Sequence, residues 1–143
     1  MKIAVISMIR DPWGGSEELW YAMAMQAIRE GHQIIHLSFD FPVMHPKLRE
    51  LEAAGAILYQ RPGYFPPGLS PGKRKLRLLV NYLKKKWNNP FRRVFRHRPD
   101  IVLYNGTCYS IADETLLLKA LQKYRPAFYL PGFYGNGSLY WLP

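Results

Sequence analysis

Gly14, Gly15, Ser16 and Glu17 form the first place in this chain where backbone and side chain together could hold a polar ligand. Glycine leaves no Cβ between backbone N–H groups and a ligand, and a helix start adds the positive end of its dipole. That chemistry suits an anion or sugar hydroxyls, although Glu17 and Glu18 in the first turn weaken the attraction for phosphate. The other reading is that the glycine pair only makes a tight turn. Asn105, Gly106 and Thr107 bring polar groups back after an apolar run, a second place for a ligand crevice.

Other reactive residue types do not assemble. His32, His36, His45 and His97 show no metal-ligand spacing, so no metal site is expected. Ser7, Ser110 and Ser138 lack the G-x-S-x-G elbow of a nucleophilic serine, and a Walker lysine is missing. Asp40 stands about where an acid holds the ribose in dinucleotide-binding folds. Gly14 and Gly15, however, lack the G-x-G-x-x-G spacing, so a nicotinamide or flavin cofactor is not expected. Cys108 is the single cysteine, which excludes an internal disulfide and a multi-cysteine zinc site, suits a reducing compartment and reads as a small buried apolar residue.

The elements that must position these groups alternate along the chain. Ile3, Ala4, Val5 and Ile6 form a continuous apolar run, the mark of a parallel strand buried on both faces. From Ser16, a good N-cap, the period becomes helical. Leu19, Trp20, Met23, Ala24, Ala27 and Ile28 make an inward stripe, Glu17 and Glu18 fall elsewhere, and Gly31 supplies the stop. Residues 33–39 read as a second strand with one more polar face, nearer an edge. A short helix over 46–54 and a strand over 56–59 come next, then a proline- and glycine-rich loop over 61–72 around Tyr64, Phe65 and Leu69. Its aromatics could line a cleft or cover the adjacent core. Residues 73–87 form a helix, interrupted before Pro90 and resumed over 91–98. A fourth strand over 100–104, a helix introduced by the capping-box spacing of Ser110 and Asp113, and a fifth strand over 127–130 complete the pattern. Strands alternating with helices in this way predict a parallel, right-handed, Rossmann-like α/β sheet sandwiched by helices.

The length fits one domain, and 48% hydrophobic residues suffice for a core. Neither a signal peptide nor a run of transmembrane length is present, so the chain is expected to be soluble or peripheral. Charge is unevenly placed: 12 of the 20 Lys and Arg lie between residues 53 and 99, where no Asp or Glu occurs. Lys73, Arg74, Lys84, Lys85, Lys86, Arg92 and Arg93 are the candidate anionic-surface patch, with Leu76, Leu79, Val80, Leu83 and Trp87 as the helix's apolar stripe. Two readings stay open: a helix packed on the sheet with a solvated basic face, or attraction to anionic lipid head groups or a phosphate-bearing acceptor. Nucleic acid is not an expected partner, because no zinc, helix-turn-helix or RNP pattern accompanies the cations.

The opening strand at 2–7, Pro12-Trp-Gly-Gly-Ser-Glu-Glu-Leu-Trp20, Glu30-Gly-His32 and Arg98-Pro-Asp-Ile-Val-Leu-Tyr104 resemble the N-terminal half of GT-B fold glycosyltransferases of family GT4. The resemblance implies an N-terminal acceptor-side domain over 1–143, incomplete at its C-terminal end, whose C-terminal domain is missing or supplied elsewhere. It implies a hexosyltransferase-like activity only when completed, with a nucleotide sugar as donor substrate, a carbohydrate or lipid-linked acceptor and no bound cofactor or metal. The chain would be inactive alone, cytoplasmic, and peripheral on the inner face of a membrane if the basic patch docks there. Gly14, Gly15, Ser16 and Glu17 then match the donor-side loop, and Asn105, Thr107 and Gly132 the acceptor cleft. Pro131 and Gly132 stand where many members carry a histidine. The alternative is a non-catalytic Rossmann-like binding module with a basic membrane-surface or anionic-ligand patch.

Overall fold

The computed structural model describes residues 1–63, 68, 70–106, 111, 114–130 and 138–140, with residues 85, 86, 130 and 138–140 described in backbone alone. Its elements in chain order are β1 (Lys2–Ser7), α1 (Gly15–Arg29), β2 (Gln33–Phe39), α2 (Pro46–Ala53), β3 (Ile57–Arg61), α3 (Pro71–Trp87), α4 (Pro90–Arg96), β4 (Ile101–Asn105), α5 (Thr115–Tyr124), β5 (Ala127–Leu130) and β6 (Ser138–Tyr140). The strands form one sheet in the order β3-β2-β1-β4-β5-β6. The first five are parallel, and β6 runs antiparallel against β5.

The two faces of the sheet are buried by different helices, which is why β1 is apolar throughout. Ala4 and Ile6 point into a core with Phe91, Val94 and Phe95 of α4 and Leu117 and Leu121 of α5. Ile3 and Val5 point to the other face and meet Trp20, Ala24 and Ala27 of α1 and Leu48 and Leu51 of α2. This is a Rossmann-like α/β fold, as the alternation of periods predicts.

Local details depart from the sequence reading. The N-cap of α1 is Gly14, in extended conformation, and not Ser16. Glu17 is buried while Leu19 is 77% exposed, so the inward stripe runs through 17, 20, 24 and 27. Gly31 does end the helix with φ +80. β2 lies next to the edge strand as expected, yet His36 and Ser38 on its more polar face are buried. The stretch after β5 adds a short strand that its three residues were too few to announce. Tyr64, Phe65, Leu69, Cys108, Ser110 and Asp113 lie outside the described residues.

Candidate functional site

The strand order reverses direction between β1 and β4, and Ser7 and Asn105 face each other in register at the carboxyl ends of these two strands. In open α/β sheets this switch point is where a crevice forms. Here it is filled from within. The Glu17 carboxylate accepts hydrogen bonds from Ser7 Oγ at 2.8 Å and Asn105 Nδ2 at 3.0 Å through Oε1, and from Ser16 Oγ at 3.0 Å through Oε2. A Cβ on Gly14 would lie 3.3 Å from Glu17 Oε2, whereas one on Gly15 would meet nothing within 4 Å. Gly14 therefore gives room to the chain's own carboxylate.

The structure thus brings Gly14, Ser16, Glu17 and Asn105 together and leaves Gly15 at the rim. The positive end of α1 is thereby answered by the chain's own Glu17 carboxylate. Thr107 and Gly132 lie outside the described residues. Asp40 is tied by its backbone N–H to Arg61 O at 2.9 Å.

Beside Glu17 is a cavity of about 10 Å³ walled by Ser7, Trp13, Glu17, Trp20, His36 and Ser38, on the scale of one water. Trp20 and His36, both in its wall, stack on each other with ring centroids 4.8 Å apart. Trp20 Nε1 and His36 Nε2 are both buried with no partner among the described residues. Burial pushes the His36 imidazole down to about 3, so it is neutral at ordinary pH. Trp13 covers the cavity's outer side: it stacks on His45 at 4.4 Å, and its indole N–H donates to Glu18 at 2.7 Å. Lys47 Nζ donates to the same carboxylate at 2.7 Å, and it and then Trp13 hold the Glu18 carboxyl below its usual range.

Arg61 was not marked by sequence reasoning, because a lone basic residue before a proline gives no sign of burial. It is 1% exposed at the end of β3, with Nη1 donating to Glu114 at 2.8 Å and the guanidinium 4.1 Å from the Phe39 ring centroid. Burial lowers its pKa and Glu114 opposes that shift. The pair bridges β3 to the segment entering α5 and is structural in its geometry.

The candidate anionic-surface patch is arranged differently. No described residue of α3 belongs to either core. Its apolar side chains stand in solvent, Leu76 at 63%, Leu79 at 55% and Trp87 at 83% exposure. Lys73, Arg74, Lys84, Arg92 and Arg93 are exposed around them, while the side chains of Lys85 and Lys86 lie outside the described residues. The reading of α3 as a helix packed on the sheet is therefore incorrect. Where α3 meets α4, a groove of about 290 Å³ opens beside β3, remote from the switch point in sequence and in strand order. Sequence reasoning missed it, because Gln60 and Pro62 join its wall only through the fold.

The class these observations define is a Rossmann-like α/β domain with a self-filled switch point and an uncovered basic helix. No family model matches the chain, and no curated protein matches it. Among solved structures it is similar to the binary complex of leucoanthocyanidin reductase with NADPH from Vitis vinifera, at 18% identity and a TM-score of 0.44. The match covers 87% of this chain and 33% of that one, so the chain spans about a third of that protein's length. The resemblance to GT-B glycosyltransferases of family GT4 is withdrawn: no family model and no curated protein matches the chain. The donor- and acceptor-side roles given to Gly14, Gly15, Ser16, Glu17, Asn105, Thr107 and Gly132 rested on that resemblance.

Among the described residues no helix is long and apolar enough to cross a membrane. Among them, too, no group of three or more His, Cys, Asp and Glu is placed to hold a metal ion.

Proposed function

We propose that this chain is a Rossmann-like binding module that docks on anionic membrane surfaces through α3. One observation carries the reading: the apolar stripe of α3, with Leu79 55% and Leu83 38% exposed, is covered by neither core and stands among exposed cations. A helix with an apolar face, a basic face and no acid nearby lies flat at a lipid interface, its stripe among the acyl chains and its ammonium groups at the head groups. Each Lys or Arg near an anionic surface contributes about 1 kcal/mol, screened over a Debye length of roughly 8–10 Å.

Co-sedimentation with vesicles of phosphatidylcholine and phosphatidylserine tests the reading. The chain should bind only when phosphatidylserine is present and be released as salt rises. Leu79→Asp with Leu83→Asp should weaken binding at least tenfold at unchanged thermal stability, because neither side chain belongs to the core. Equal binding to purely neutral vesicles, or indifference to the double substitution, would return α3 to a solvated surface helix.

A further inference from the structure

The groove of about 290 Å³ at the end of α3 is walled by Gln60, Lys84, Trp87, Asn88, Pro90 and Arg93. Its two cations come from different helices, Lys84 from α3 and Arg93 from α4, and both are exposed. Neither forms an ion pair among the described residues. No carboxylate lines the groove, and the chain has none between residues 53 and 99. Gln60 and Asn88 add neutral donors. The volume is at the small end of ligand sites, which begin near 300 Å³, and matches a head group better than an extended ligand.

Trp87 connects the groove to the rest of α3. It is the last residue of the stripe 76, 79, 80, 83 and 87 and also part of the groove wall. Tryptophan concentrates at membrane interfaces because its ring is apolar and its N–H is not. A lipid whose chains lie along the stripe would present its head group at the groove. An arginine fork accepts a phosphate through two parallel N–H···O bonds, and a lysine adds a mobile point charge.

We infer that this groove is a head-group site for a phosphomonoester lipid, with Arg93 and Lys84 holding the phosphate and Trp87 fixing the groove at the interface. The inference rests on the docking role of α3, and the two can fail separately. The full chain is titrated with vesicles matched in surface potential, one set containing phosphatidic acid and the other phosphatidylserine. Wild type should bind the phosphatidic acid vesicles at least tenfold more tightly. Arg93→Gln should abolish that preference while keeping weaker binding to both, and Arg74→Gln, outside the groove, should weaken both equally. Arg93 is exposed, so the variant should fold, as its thermal transition will show. Equal wild-type affinities at matched potential, or a preference that survives in Arg93→Gln, would overturn the head-group site and leave docking intact. Binding to neither vesicle would overturn docking itself. Glycerol 3-phosphate bound by wild type and not by Arg93→Gln, with no vesicle preference, would replace the lipid with a soluble phosphate compound.

Discussion

Glu17 shows how one side chain decides what a helix N-terminus can do. Its carboxylate ties β1 to β4 through Ser7 and Asn105 and answers the α1 dipole. Glu17→Ala should therefore leave the buried Ser7 hydroxyl without its acceptor and Asn105 Nδ2 with only Ser16 Oγ at 3.4 Å, and cost about 1–3 kcal/mol in urea unfolding, whereas Ser16→Ala should cost under about 1. The sequence places Glu17 in the first turn but not on the inward face, because helical phase over a few residues cannot tell a solvated glutamate from one aimed at strand ends. His36 makes the second prediction at this scale. Its folded pKa of about 3 lies below the ordinary 6.5, so between those values the unfolded chain takes up a proton that the folded chain refuses. The stabilisation from the neutral ring is complete above about pH 6.5 and is lost as pH falls toward 3. Unfolding free energies of wild type should carry a slope up to about 1.4 kcal/mol per pH unit steeper than those of His36→Leu across that window. Parallel slopes would mean that the ring protonates inside the fold.

Among the elements, the strands and the extent of α3 were legible, and what covers α3 was not. The runs at 3–6 and 101–104 read as buried parallel strands because both faces meet helices, and they do. A stripe at 76, 79, 80, 83 and 87 looks the same in sequence whether a sheet or a lipid covers it, so its exposure became visible only with the fold. β6 escaped notice for another reason: three residues are too short for any period. Helices without tertiary cover are marginal in water near 12–15 residues, and α3 has 17 with no described residue in either core. Its amides at 73–84 should exchange with solvent far faster than those of β1 and slow at least tenfold when anionic vesicles are added. Unchanged exchange on adding vesicles would count against lipid contact along the helix.

Across the whole molecule, cations and acids are segregated: 12 Lys and Arg between residues 53 and 99 without an acid, and eight basic against ten acidic residues elsewhere. The candidate site divides in the same way. The polar switch point, legible in part from Gly14, Glu17 and Asn105, is closed on itself, while the open groove is assembled from β3, α3 and α4, parts that no motif joins in sequence. In the proposed docking on membranes, this segregation would separate the two rates of engagement. Long-range attraction acts before contact, so association should be oriented and should slow steeply between about 50 and 200 mM salt. The apolar stripe acts only after contact, so dissociation should depend little on salt and accelerate with Leu79→Asp. Stopped-flow mixing with vesicles reads both. A chain built in this way would search by charge and stay by its apolar stripe, so that side chains such as Leu79 lengthen its residence on a surface without helping it to find one.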